Sequence, residues 1–208
     1  MLKIWGRTNS VNVQKVLWAC EELGIPYDRI DAGAQFGVVN TPEFRRDLNP
    51  NALVPVIDDG GFVLWESNAI VRYLAAKHGA GTLSPDDPEL RASADRWMDW
   101  QQTALWGRGL RDVFWTLIRT PPEKRDLKAL EAALASTADN LQILESALAG
   151  GGFLCGDALS MADIPIGCAI HRWFGVPVER PASPRLEAYY ARLSARPAYR
   201  KIVLHPLT

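Results

Sequence analysis

The sequence predicts a two-part molecule: an α/β unit built on a mixed four-stranded sheet in the order β-α-β-α-β-β-α, followed by an all-helical bundle. Three observations predict it. Short apolar runs alternate with helix-period segments from the N-terminus to about residue 79. A breaker-rich stretch, Gly79-Ala80-Gly81-Thr82-Leu83-Ser84-Pro85-Asp86-Asp87-Pro88, then reads as a linker. Beyond Glu89 the apolar residues recur only at helical spacing. The expected division is 1–79, a linker at 80–88, and 89–208.

Residues 2–5 form a short apolar run, as a buried strand requires. From Val11 the period changes: Val13, Val16, Leu17, Cys20 and Leu23 recur at three- and four-residue steps, and Gly24 stands where a C-cap glycine belongs, with Pro26 beyond it. Tyr27 to Ala32 reads as the second strand, 33–42 as loop, and Pro42 to Asp47 as a short helix. Val54-Pro55-Val56-Ile57 and Phe62-Val63-Leu64-Trp65, joined by Asp58-Asp59-Gly60-Gly61, make a hairpin. A helix starts at Glu66-Ser67 with Ile70, Tyr73 and Leu74 on one face. In the second half, helices are expected from Glu89 to about Arg119, from Glu123 to Leu148, from Ser160, and from Pro184 to Ala195. Ser160-Met161-Ala162-Asp163 fits a capping box, with Leu159 and Ile164 as its hydrophobic staple and Pro165 following.

Composition narrows the function classes. The 208 residues are 48% hydrophobic and 23% charged with a formal net charge of -1, so no charge excess points to nucleic acid or an anionic membrane. The first seven residues hold no apolar signal core, and no run of about 18 apolar residues exists to span a membrane. Cys20, Cys155 and Cys168 are three in number and far apart, which fits a reducing, cytoplasmic setting and neither a disulfide framework nor a zinc site. His78, His171 and His205 are isolated from them, so no metal site is expected.

Three places carry chemistry. Thr8-Asn9-Ser10-Val11-Asn12 lies at the junction of the first strand and helix. Its small polar side chains suit an N-cap; the same helix start also favours an anion, and a hydroxyl there could donate to a thiolate. Position alone does not choose between the two. Val54-Pro55 opens a strand with a residue that lacks a ladder donor: either an edge proline with a trans bond, or a cis bond that turns the Val54 main chain outward to pair with an extended peptide. Trp65-Glu66-Ser67-Asn68-Ala69-Ile70 either caps a helix or recognises an amino-acid head group, the Ser67 hydroxyl and free amides taking its carboxylate and Glu66 its ammonium.

Taken together, Ser10-Val11-Asn12-Val13-Gln14-Lys15-Val16, Asn49-Pro50-Asn51-Ala52-Leu53-Val54-Pro55-Val56 and Glu66-Ser67-Asn68-Ala69-Ile70-Val71-Arg72-Tyr73-Leu74 resemble the cytosolic glutathione S-transferase family, in particular its serine-type, theta-like and bacterial members. Phe153-Leu154-Cys155-Gly156-Asp157 with Ser160-Met161-Ala162-Asp163 resembles the C-terminal signature of that family. The resemblance implies a thioredoxin-like N-terminal domain that binds glutathione and an all-α C-terminal domain that binds an electrophile. It implies a cis Val54–Pro55 bond, with the Val54 main chain on the cysteinyl unit and Glu66 and Ser67 on the γ-glutamyl end. Ser10 falls at the position of the thiol-facing hydroxyl, and Asn12 where some bacterial members use asparagine. No tyrosine precedes Tyr27 and no cysteine lies near Ser10, so the tyrosine- and cysteine-type mechanisms are not expected. Leu53 stands where several members carry a lysine or glutamine for the glycyl carboxylate, which leaves that contact to Asn40, Arg45 or Arg46. The resemblance further implies a homodimer, with Gln102 or Asp99 reaching the neighbouring subunit's glutathione.

The implied chemistry is attack by a thiolate on a small electrophile. A free thiol has a pKa of about 8.5, and lowering it by about two units is worth roughly 2.7 kcal/mol. The Ser10 hydroxyl, the Asn12 amide and the helix dipole could supply this without a base. In Trp106-Gly107-Arg108-Gly109-Leu110-Arg111-Asp112-Val113-Phe114-Trp115, aromatics and arginines recur at helical spacing. Trp106, Arg108, Arg111 and Trp115 are either packing aromatics with solvated arginines or a pocket for an aromatic or anionic electrophile, with Gly107 and Gly109 softening the helix. Two other functions share this pattern: a glutathione-dependent disulfide reductase, favoured by Asn12, and a non-enzymatic binding protein, disfavoured by an intact Ser10 and Glu66-Ser67.

Overall fold

The computed structural model describes residues 1–208. Its first half holds β1 (Leu2–Trp5), α1 (Val11–Leu23), β2 (Tyr27–Ile30), α2 (Pro42–Asp47), β3 (Val56–Asp59), β4 (Phe62–Trp65) and α3 (Ser67–His78). The sheet order is β2-β1-β3-β4, with β1 parallel to β2 and antiparallel to β3, and β3 antiparallel to β4. This is the mixed sheet that the element order predicts. Leu2 and Ile4 alternate inward on β1, and the Gly24 amide closes α1 at φ 64°, a conformation open to glycine at no steric cost.

Two strand boundaries differ from the expected ones. β2 stops at Ile30, two residues before the buried Ala32. β3 begins at Val56 rather than Val54, because Pro55 has no N–H for the ladder and its bond to Val54 is cis. The strand gains Asp58 and Asp59 at its far end, and the hairpin closes on Gly60 and Gly61 alone, at φ 65° and 98°, as a two-residue turn of the primed kind demands.

The second half comprises α4 (Pro88–Trp100), α5 (Arg111–Phe114), α6 (Leu127–Ala147), α7 (Asp163–Gly175), α8 (Pro184–Ser194) and α9 (Pro197–Ile202). The single helix expected from Glu89 to Arg119 is interrupted by a kink at Arg108, which leaves helical geometry at φ −119°, and Gln101–Leu110 and Trp115–Arg119 are wound in wide π turns. The kink falls between Gly107 and Gly109, and Gly109 is also a packing residue: a Cβ there would lie 2.6 Å from Thr137 Oγ1 and 3.0 Å from the Ala133 carbonyl on α6. α6 starts four residues later than expected because the Asp126 carboxylate caps it, accepting from the Ala129 amide at 3.0 Å. α9 lies beyond the last expected helix. It is one short element behind Arg196-Pro197, too brief for a periodic signal.

The capping box takes half of its expected form. Asp163 reaches back to the Ser160 amide at 2.8 Å, but the Ser160 hydroxyl donates to the same carboxylate at 3.1 Å instead of accepting from the helix. Asp163 also accepts from the Leu154 amide and the Tyr189 hydroxyl, which ties the preceding loop and α8 to the head of α7.

The two halves share one hydrophobic core. It runs from Ile4, Val16 and Trp18 to Leu105, Ile170 and Tyr199. Trp18 meets Tyr199 edge to face at 4.7 Å, and Gly167 on α7 leaves room for the indole, since a Cβ there would come within 2.7 Å of it.

Candidate functional site

The register of the sheet gathers the three candidate segments. Trp5 pairs with Val56, and Val56 with Trp65, so these residues form one row across the end of the sheet. The chain leaves Trp5 toward Ser10, enters Val56 from Val54-Pro55, and leaves Trp65 toward Glu66-Ser67. Three segments far apart in sequence therefore open at one edge. This is a consequence of strand pairing alone.

Each segment arrives with unspent polar groups. Ser10 holds the N-cap position of α1 with extended backbone, yet its side chain makes no capping bond, and the first turn carries no acidic residue. The hydroxyl and the helix dipole thus stay available to an anion. The Val54 main chain makes no backbone hydrogen bond, as befits a residue held just outside the ladder. Glu66 heads α3 at φ 73°, a left-handed conformation that costs a non-glycine residue on the order of 1 kcal/mol and is characteristic of functional sites. Its side chain is exposed, whereas Ser67 behind it is 4% exposed, with the hydroxyl accepting from Lys15 Nζ at 3.4 Å.

The remaining expected glutathione contacts are scattered. Leu53 is 61% exposed, and its carbonyl accepts from Asn49. Asn40 is exposed and accepts from Arg45 at 3.4 Å; Arg45 also donates to the Pro50 carbonyl, and Arg46 pairs with its neighbour Asp47. Gln102 is exposed on the first wide turn, and Asp99 is paired with Arg72.

Beside Ser10 and Asn12 lies a cleft of about 160 Å³ between the halves. Trp106 and Trp115 line it, as does Phe114. Its charged lining residues are Arg7, Arg119 and Arg172, and it contains no carboxylate. Arg108 and Arg111 lie elsewhere: both are exposed, and Arg111 pairs with Asp112. The same stretch presents Trp106, Phe114, Trp115 and Arg119 to the cleft. Arg172 is buried; its Nη2 donates to Gln14 at 2.7 Å and its Nη1 to the Cys168 carbonyl, and burial, with Arg119 and Arg7 nearby, lowers its pKa to about 10. Arg119 lies 4.9 Å over the Trp115 ring and donates to the Thr208 carbonyl. Arg7 Nη1 is buried without a hydrogen-bond partner, and burial and Arg119 lower its pKa. A lone arginine inside the apolar Ile164–Phe174 run was the one sequence signal for this cluster; Arg7 and Arg119 sit in segments with no pattern to mark them.

No group of three or more His, Cys, Asp or Glu side chains gathers anywhere, and no helix is long and apolar enough to cross a membrane. The three cysteines are free, and none lines the cleft.

A four-stranded mixed sheet whose loops meet at one end, capped by a helical half, defines a thioredoxin-like domain with an all-helical companion. The models for the glutathione S-transferase N-terminal and C-terminal domains match residues 9–77 and 125–192. Over the full length of both proteins the chain is 41% identical to glutathione S-transferase GstB of Escherichia coli, and across 97% of it the chain is 29% identical to glutathione S-transferase 4 of Zea mays, covering 91% of that protein. It superposes with a TM-score of 0.94, at 48% identity and with 100% and 99% of the two chains covered, on the theta class glutathione S-transferase of Xanthomonas axonopodis pv. citri with glutathione bound. The chain belongs to the glutathione S-transferase family, and it is an enzyme of that kind with glutathione as its co-substrate.

Proposed function

We propose that the enzyme joins the glutathione sulfur to a small electrophile that carries a carboxylate, and that its three-arginine cleft selects this substrate. In this reading the Val54 main chain holds the cysteinyl unit, and Glu66 and Ser67 hold the γ-glutamyl end. Asn40, with the Arg45 that engages it, and Leu53 border the glycyl end. Ser10 and Asn12 donate to the thiolate, whose proton goes to solvent; the sulfur attacks the substrate carbon, the C–S bond forms as the carbon–halogen bond breaks, and halide leaves. Gly33 helps shape the wall near the peptide, with Val54 Cγ2 3.2 Å from where its Cβ would stand.

The observation that carries this reading is a cleft next to Ser10 and Asn12 with three cationic side chains and no acid among its lining residues. Arg7 and Arg119, the latter on the turn that carries Trp115, take the role that the sequence assigned to Arg108 and Arg111. A volume of about 160 Å³ suits a compact substrate. The test compares a 2-halo carboxylic acid with its uncharged amide. Arg7→Met and Arg119→Met should each raise KM for the acid about tenfold, the scale of one charge-assisted hydrogen bond, and change it for the amide by less than about twofold. Equal effects on both substrates would discard the anionic reading. The cytoplasmic setting and the homodimer, with Gln102 near the partner's ligand, belong to the same proposal; exposed Phe62 and Trp65 on the edge strand β4 support the dimer, and light scattering after size-exclusion chromatography tests it.

A further inference from the structure

Lys15 is a charge without a partner. It lies on α1 between Val13 and Val16, is 2% exposed, and its ammonium touches no carboxylate. Instead its three protons are shared among three neutral oxygens: Gln101 Oε1 at 3.0 Å, Asn68 Oδ1 at 3.2 Å and Ser67 Oγ at 3.4 Å. Those partners are themselves buried, and Asn68 is fixed in turn by donating to the Met98 carbonyl at 2.7 Å. A buried cation held by neutral groups is costly, and its retention calls for a role.

The Ser67 hydroxyl is the outlet. It accepts from Lys15 and donates to nothing in the protein, so its proton is unspent. Ser67 is also the first residue of α3, at the edge where the three site segments open. Accepting from an ammonium polarises a hydroxyl and strengthens it as a donor. We propose that Lys15 is a positioning residue of the glutathione site: it pins Ser67 as an acceptor, so that the hydroxyl donates to the γ-glutamyl α-carboxylate, and that carboxylate supplies the countercharge Lys15 lacks. The proposal rests on the assignment of Ser67 to the γ-glutamyl end.

The groups around Lys15 define its charge. Burial lowers its pKa to about 8; Glu66 at the head of α3 favours the ammonium and Arg172 on α7 opposes it. Cys168, also on α7, has its thiol pushed up to about 12 by burial and so remains neutral at Lys15's own titration. A bound carboxylate stabilises the ammonium, so binding is strongest below about pH 8 and weakens as Lys15 deprotonates above it.

The experiment titrates S-methylglutathione, which has no thiol to ionise, into the full-length wild type, Lys15→Met, Lys15→Gln and Lys15→Arg by calorimetry from pH 6.5 to 9.5. Thermal unfolding of each variant accompanies it. A parallel series uses the same ligand without its α-carboxylate. At pH 6.5 Lys15→Met and Lys15→Gln should bind S-methylglutathione about tenfold more weakly, Lys15→Arg should recover part of the loss, and the decarboxylated ligand should bind all four proteins within about twofold. The ratio of Lys15→Met or Lys15→Gln to wild-type Kd should fall toward one above about pH 8; the ligand's own amine titrates equally against every variant and drops out of the ratio. Equal Kd values in wild type and folded Lys15→Met or Lys15→Gln, or an equal loss with the decarboxylated ligand, would overturn the role of Lys15 while leaving the site intact. Failure of the wild type to bind S-methylglutathione at all would remove the site assignment and this proposal with it.

Discussion

Ser10 and Asn12 stand one helical turn apart at most, on a helix start with no acidic residue and no side-chain cap. Two neutral donors and a dipole are what can stabilise a thiolate there. If the hydroxyl is the principal donor, Ser10→Ala should lower kcat/KM by about ten- to a hundredfold and raise the pKa seen in its pH profile by about one to two units, while Asn12→Ala should do less. A stopped-flow thiolate absorbance titration on the two variants checks this; the reverse order would transfer the role to Asn12. The two residues were marked as candidates in the sequence because they lie at a strand-to-helix junction. Lys15 and Arg172 were not, since both occupy apolar helical faces where pattern alone reads them as interruptions. Lys15 also leaves a mark on stability. Its pKa is lower folded than the 10.5 of a free lysine, so the unfolded chain binds more protons between about pH 8 and 10.5, and stability gains from this group as pH rises through that window. Lys15→Met should flatten that segment of a denaturation-versus-pH curve.

At the level of elements, Asp163 is the joint on which α7 depends. Its fully buried carboxylate receives four donors from Ser160, Leu154 and Tyr189, while burial pushes its pKa up against them. Asp163→Ala strands those donors and should cost roughly 2–4 kcal/mol in urea unfolding, with the Kd for glutathione in the surviving folded fraction almost unchanged. Gly167→Ala on the same helix would drive a methyl into the Trp18 ring and should cost roughly 1–3 kcal/mol. The capping signature around Asp163 and the Gly60-Gly61 turn were readable because both are local. The wide turns at Gln101–Leu110 were not, and neither was the packing of Gly109 within them against Thr137 of α6, nearly thirty positions away. The sequence pointed to Arg108 and Arg111, three residues apart on one helix, whereas Arg119, at the end of that helix, is the arginine of this segment that lines the cleft.

At the scale of the molecule, the main apolar core spans the α/β half and the helical half, while a small cluster of Ala32, Val39, Phe44, Ala52 and Val56 belongs to the α/β half alone. Trp18 packs on Tyr199, Arg172 donates to Gln14, and Glu22 pairs with Arg196 across the same boundary. Unfolding should therefore be one cooperative event: calorimetry should record a single heat-absorption peak, coincident with the change in tryptophan fluorescence, and residues 1–79 expressed alone should lack a fixed tertiary structure. Two resolved peaks would mean that the halves are energetically separate. The order of elements and the change from sheet to helices were evident in periodicity. That the main core spans both halves was hidden, because it depends on which helix faces meet and not on where helices begin.

The row formed by Trp5, Val56 and Trp65 makes the proposed binding edge a property of the completed sheet. A chain with β4 undocked, or slipped by one residue, has all the ligand-facing side chains and no place where they converge. Free tripeptide in solution then acts as a ligand of the finished protein alone: at a hundred times its Kd it would deepen the native well by about 2.7 kcal/mol and leave every half-made form untouched. On the proposed site, the co-substrate would act as a mass-action proofreader of its own enzyme, drawing the population toward the molecules whose strands are in register.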